Sequence, residues 1–310
     1  MTLKIFLLAG LGNKLFQYAF IKSLSKKYNI SYQIYGIHDR YIHNMNLWMI
    51  DQLNIKNYKI LSLEQLIYKA NEYATDIDNP NIEEIILWFQ PLSEHLGYYE
   101  YNLEILQNNI IIGYFQNEKY FQNIEDELRD ELKEPPFIKP IINHYIANFL
   151  HVDPLNILEN ICIIHIRLGD YRNSNGHFIN LENYYLKCIK DIIQNIENPM
   201  FLIMTENINE VQEVYPNLIP SISNGKYAIS ILPTNIENTD TYIDIDCFHF
   251  YLMSRVKTIV CANSTFSWWG AWINPHKEKI VYIPSRWLNG ADNFKQFPFI
   301  GMKGAKVIEV

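Results

Sequence analysis

The chain has 310 residues, 48% hydrophobic and 14% aromatic, with a formal net charge of −8. That is enough apolar material for two domain cores, and the acidic balance excludes a general nucleic-acid binder, which needs a basic face, though not a local basic pocket for one nucleotide. Cys162, Cys188, Cys247 and Cys261 are scattered without a CxxC pair, which points to buried free thiols in a reducing compartment and away from a disulfide frame or a zinc site.

Residues 3–9 read as a first strand. The apolar run after Lys4 is short, lacks a small-x-small cleavage site and turns at Gly10-Leu11-Gly12-Asn13, so a strand is expected there in preference to a signal peptide. No run is long enough to span a membrane, so a soluble, cytoplasmic protein is expected. Leu15, Phe16, Ala19, Phe20, Ser23 and Leu24 then recur at helical spacing. A strand, a glycine turn and a helix together offer free N–H groups to an anion. The turn is not a P-loop, and it lacks the third glycine of the dinucleotide fingerprint.

Residues 31–35 read as a strand, 61–71 as a helix, and 85–89 and 109–113 as strands. His38, Asp39, Arg40 and His43 lack the spacing of a standard metal site and read as a polar loop. A charged helix runs to about 133, stopped by Pro135-Pro136, and 138–150 is a further helix. The polar stretch 151–160 suggests a boundary between an N-terminal domain, 1–150, and a C-terminal domain, 151–310.

Beyond it, strands at 161–168, 200–204, 227–232, 258–262 and 280–283 alternate with helices at 181–196, 209–215 and 242–256 and one opening near 263. Such alternation argues for parallel sheets with helices on both faces. Ile161-Cys162-Ile163-Ile164-His165-Ile166-Arg167-Leu168 is a continuous apolar run, as a strand buried on both faces requires. It ends among His165, Arg167, Asp170 and Arg172, at the edge where open α/β sheets bind ligands. Arg167 offers a fork of donors to a phosphate, or forms an ion pair with Asp170 that fastens a loop. Ser264 and Thr265 stand at a helix start, as caps or as part of a phosphate site. Asp244-Ile245-Asp246 imitates a metal motif, but acids at a helix start stabilise its dipole.

Four segments carry a resemblance. Gly10 to Phe20, Gly113 to Phe121, His165-Ile166-Arg167-Leu168-Gly169-Asp170-Tyr171 and Ala262 to Trp272 resemble, in order and spacing, motifs of the α-1,2-fucosyltransferase family, glycosyltransferase family 11. The resemblance implies a GT-B-like fold, two Rossmann-like α/β domains facing across a cleft, with the N-terminal domain on the acceptor side and the C-terminal domain binding the nucleotide sugar. It implies inverting transfer of L-fucose from GDP-fucose to a galactoside 2-hydroxyl, with no cofactor and no metal. Arg167 and Asp170 then carry the catalytic roles, Arg167 on the donor β-phosphate and Asp170 as base or as the residue that orients Arg167. Gly10, Gly12, Asn13, His165, His249, Ser264 and Thr265 bind the donor. The partners are a nucleotide sugar and a galactose-containing glycan, without nucleic acid; peripheral membrane association stays open.

The sequence departs from the family at four places. Leu168 replaces a second arginine, and Lys14 replaces a glutamine, placing a charge near the pyrophosphate. Glu206-Asn207 stands where an acidic pair is usual, and His249 where an aspartate reads guanine. GDP-fucose is expected to remain the best donor but to bind more weakly. Two alternatives are a transferase of another nucleotide sugar and a non-catalytic nucleotide-sugar or glycan-binding protein.

Overall fold

The computed structural model describes residues 2–7, 9–37, 58–61, 100, 103, 110–149, 159–223, 228–232, 245–289 and 301–310. The chain divides into two compact units, Met1–Leu132 and Lys133–Val310.

In the first unit, β1 (Thr2–Phe6), β2 (Ser31–Ile37), β3 (Tyr58–Leu61) and β4 (Ile110–Ile111) form a sheet in the order β3-β2-β1-β4. Every pair in it is parallel. Helix α1 (Leu11–Tyr28) follows β1 directly. Of the six residues its spacing picked out it buries Leu15, Phe16, Ala19, Phe20 and Ser23, and Leu24 is half-buried. The helix ends at Asn29, whose φ of 53° is the left-handed conformation of a C-cap and whose N–H returns to the Ser25 carbonyl. Downstream segments fasten it. Gln17 Nε2 donates to the Gly113 carbonyl, the Tyr18 hydroxyl donates to Glu131, and the Phe20 ring stacks on Phe115 at 3.8 Å. Helix α2 (Glu125–Glu131) closes this unit behind two single 3-10 turns.

The second unit opens with α3 (Lys139–Phe149). It is built on six parallel strands, β5 (Ile161–His165), β6 (Met200–Met204), β7 (Ala228–Ile231), β8 (Thr258–Val260), β9 (Ile280–Pro284) and β10 (Lys306–Ile308), in the order β10-β9-β8-β5-β6-β7. All five residues of β5 are buried, which explains its unbroken apolar sequence. The chain runs outward from β5 through β6 and β7, then returns to the other side of β5 and runs outward again from β8. Strand order therefore reverses between β5 and β8, the position at which doubly wound sheets open a crevice beyond their carboxyl ends. Helix α4 (Glu182–Asn195) pins this point. The Tyr185 hydroxyl donates to the His165 carbonyl and the Tyr184 hydroxyl to the Cys261 carbonyl. The remaining helices are α5 (Ile208–Val214), α6 (Leu218–Ile222), α7 (Ile245–Met253) and α8 (Thr265–Ile273).

The two-unit, parallel-sheet class is as the sequence implied, but several details differ. The division falls at 132/133, not 150/151, because α3 belongs with the second unit. Arg255 donates to Glu134 and Asn143, and the Tyr145 ring lies edge-on to Phe248. Strand β5 stops at His165, three residues early, where the chain turns into a 3-10 segment, Gly169–Asn173. Strand β10, which follows the expected last strand, is three residues long with its side chains largely outside the core. It is held by main-chain pairing to β9, which leaves no periodic signal. The expected helix at 61–71 begins on a residue that closes β3; its remainder and the expected strand at 85–89 lie outside the described residues. All four cysteines are free and buried.

Candidate active site

Three adjacent carboxyl ends, those of β8, β5 and β6, carry most of the polar residues singled out in the sequence. Beyond β5 the chain places Arg167, whose Nη2 donates to Asp170 Oδ1 at 2.6 Å, while Nη1 donates to Glu206 at the end of β6. The guanidinium also lies 5.4 Å from the centre of the Tyr171 ring, a cation–π approach. Gly169 makes this arrangement possible. Its φ is +32°, and a Cβ there would meet the end of the Glu206 side chain. The positive φ is the conformation that favours a residue without a side chain.

Beyond β8, Ser264 is the N-cap of α8, but its side chain makes no capping bond. The N–H groups of the first turn, beginning with Thr265, are thus left without an intrahelical acceptor or a side-chain cap. Asn263 holds the preceding loop, donating to the carbonyls of His177 and Trp287. A positive helix end and an arginine therefore sit on neighbouring strands.

His165 lies at the end of β5 between these features. Its Nδ1 is buried and has no hydrogen-bond partner among the described residues. The ring is 5.8 Å from that of Phe266, and Phe266 in turn is 5.9 Å from Phe250. Burial, reinforced by the positive Arg167 and by His249, lowers the His165 pKa to about 3. The imidazole is neutral at physiological pH. His249, on α7, is buried too.

The structure thus brings together His165, Arg167, Asp170, His249, Ser264 and Thr265 in the second unit. Gly10, Gly12 and Asn13 belong to the first unit, at the turn from β1 into α1. Asn13 Oδ1 there accepts from Gln116 Nε2 at 2.7 Å. Asp170 is engaged by Arg167, the orienting contact held open beside general-base chemistry in the sequence. The Arg167–Glu206 pair, 39 residues apart in sequence, carries no local signal. Leu168 is more than a lost charge: it is 2% exposed and packs in the core with Ile166, Leu181 and Tyr185. Among the described residues no three His, Cys, Asp or Glu side chains gather as a metal-ligand set, and no helix is long and apolar enough to cross a membrane. Asp246 is exposed in the first turn of α7, and Asp244 lies outside the described residues.

A parallel sheet that presents an arginine and an uncapped helix start at its switch point is suited to an enzyme that takes a phosphate-bearing ligand. The chain belongs to glycosyl transferase family 11, whose profile matches residues 2–296. It is similar to an α-1,2-colitosyltransferase of Escherichia coli, 26% identical over 287 residues, covering 91% of this chain and 90% of the relative. It is also similar to the O-antigen biosynthesis glycosyltransferase WbnK of Escherichia coli, 25% identical over 308 residues, covering 92% and 95%. Among solved structures it is similar to the fucosyltransferase NodZ from Bradyrhizobium, with TM-score 0.47, 13% identity, and coverage of 87% of this chain and 92% of that one. The chain is a glycosyltransferase, with a nucleotide sugar and a glycan acceptor as its substrates.

Proposed function

We propose that this protein is an inverting α-1,2-fucosyltransferase, moving L-fucose from GDP-fucose to the 2-hydroxyl of a galactoside without a metal. The observation that carries the reading is Arg167, held at the switch point beside the uncapped start of α8 and within the family's matched length. In the reaction the acceptor oxygen attacks the anomeric carbon from the face opposite the diphosphate. The bond from that carbon to the phosphate oxygen breaks, the electron pair leaves with GDP, and the hydroxyl proton passes to a base. Arg167 and the N–H groups at Thr265 neutralise the charge that grows on the leaving diphosphate. Asp170 and Glu206 hold the guanidinium in place, so little reorganisation is needed as the bond breaks. His165 and His249 line the region of the nucleotide base.

A second reading, transfer of colitose from its nucleotide, is favoured by the name of one relative. Titration of GDP, UDP and ADP by calorimetry, in the presence of excess EDTA, tests the donor class. GDP should bind best and without added metal. Preference for another nucleotide, or binding only after magnesium or manganese is restored, would refute the corresponding part of the reading.

A further inference from the structure

Inverting transfer needs a base for the acceptor's hydroxyl proton, and the two carboxylates beyond β5 and β6, Asp170 and Glu206, both accept from Arg167. His165 and His249 are buried. His177 is exposed and belongs to the same edge. It closes the turn Ser174-Asn175-Gly176-His177, which follows the 3-10 segment Gly169–Asn173 and has the polar and glycine residues a turn requires. The His177 N–H donates to the Ser174 carbonyl at 3.2 Å. Loops beyond two other strands tie the turn down. After β8, Asn263 Nδ2 donates to the His177 carbonyl at 3.0 Å; after β9, the Asn289 N–H donates to the Gly176 carbonyl at 2.7 Å. Asn263 immediately precedes Ser264, the N-cap of α8. The chain leaving β5 therefore passes to the loop beyond β8, and His177 stands where the two meet. Two side-chain contacts fix its ring. Nδ1 is 2.8 Å from Ser174 Oγ, and the ring centre is 5.0 Å from that of Tyr171. The same Tyr171 ring lies 5.4 Å from the Arg167 guanidinium.

We infer, on the inverting-transfer reading, that His177 is the general base of the reaction. Its Nδ1–H donates to Ser174 Oγ, which leaves the lone pair on Nε2 for the acceptor's hydroxyl proton. As the acceptor oxygen bonds to the anomeric carbon, its proton passes to Nε2. The bond from that carbon to the diphosphate oxygen breaks, and its electron pair leaves with the nucleoside diphosphate. The imidazolium then gives its proton to water. Each contact of the ring serves this step. Ser174 fixes the tautomer, and Tyr171 lies within the distance at which an aromatic ring stabilises a cation. Arg167 and His177 share Tyr171 as a neighbour, so the base is within reach of a sugar whose diphosphate Arg167 holds. The ties from Asn263 and Asn289 keep the imidazole in place before the substrates arrive, which is what alignment for attack requires.

The test compares wild type, His177→Gln and His177→Ala in the full chain, by steady-state transfer kinetics and by calorimetry with GDP, or with UDP or ADP should wild type prefer one of these. In both variants kcat should fall about 100–10,000-fold, the range for losing a general base, while nucleotide affinity stays at the wild-type value. Two neutral replacements, one polar and close in size, one small, guard against a packing defect in either. Added imidazole should restore part of the rate of His177→Ala. Ser174→Ala should lower kcat less than His177→Ala does, and should add nothing to it in the double variant, because Ser174 acts through the imidazole. Turnover within about threefold of wild type in either His177 variant, a loss of nucleotide affinity that matches the loss of rate, or a His177→Ala rate that imidazole leaves unchanged would overturn the assignment. A failure of the inverting-transfer reading is seen in wild type itself, as a retained configuration or transfer from another donor. The ratio of variant to wild-type rates, taken with whichever donor wild type uses, decides on His177 separately.

Discussion

Arg167 and Lys14 each follow a parallel strand, and their surroundings are opposite. Arg167 is partly exposed, gripped by Asp170 and Glu206 and faced by Tyr171. Lys14 is buried, without a carboxylate in its helix turn or against its ammonium among the described residues. A paired arginine is held in one geometry at little cost, and an arriving anion must share it with its acids. A lysine held out of water without an ion pair costs stability. The first arrangement suits a group that must be aimed; the second comes at the expense of stability.

The largest effect is expected from breaking the paired cation. Arg167→Ala should lower the transfer rate by about 100–1,000-fold with the fold intact, the range for losing an oxyanion donor. Arg167→Lys should rescue poorly, since a point charge does not reproduce the planar fork. Steady-state rates alongside circular dichroism check this; near wild-type turnover in a well-folded Ala variant would show that Arg167 is no phosphate ligand.

Lys14→Met should act in the opposite sense, stabilising the ligand-free protein by on the order of 3 kcal/mol, the equivalent of moving a lysine pKa from 10.5 to about 8. Because the folded pKa lies below the unfolded one, the unfolded chain binds more protons between those values. The destabilisation is therefore full below pH 8 and is relieved as pH rises toward 10.5. Denaturant titrations at pH 7 and pH 10 should show the gain from Lys14→Met shrinking at the higher pH. A constant gain, or a loss at pH 7, would mean that the ammonium is not an uncompensated charge.

Gly169→Ala sharpens the paired side. The new Cβ must push Glu206 away, and the backbone is in the left-handed region. A cost of about 1–3 kcal/mol in stability is expected, with Arg167 freed from one of its acids. A variant as stable as wild type would show that the Glu206 position is easily given up. The smallest effect concerns His249, where an aspartate could accept two guanine hydrogen bonds and a neutral imidazole one. His249→Asp should tighten GDP about fivefold or more, read by calorimetry; unchanged or weaker binding would remove His249 from the base-recognition set.

What was legible in the sequence follows from how local its cause is. The run Ile161 to Ile164 declares a doubly buried strand by composition, and Met200–Met204 matches its expected bounds for the same reason. The helix start at Ser264 and the cluster around Arg167 could be placed because strand ends mark where charges gather. The grip of Glu206 on Arg167, the burial of Leu168 and the isolation of Lys14 depend on residues far away in sequence. The same holds for the unit boundary, since α3 is claimed through Asn143 by Arg255, 112 residues on.

The most direct test of the central claim is the structure of the product. GDP-fucose and a panel of galactosides are incubated with the protein, and the purified product is solved by NMR. The account predicts an α-linked fucose on the galactose 2-hydroxyl, formed with inversion from the donor. A product with another sugar from a competing donor, another linkage position, or retained configuration would contradict it.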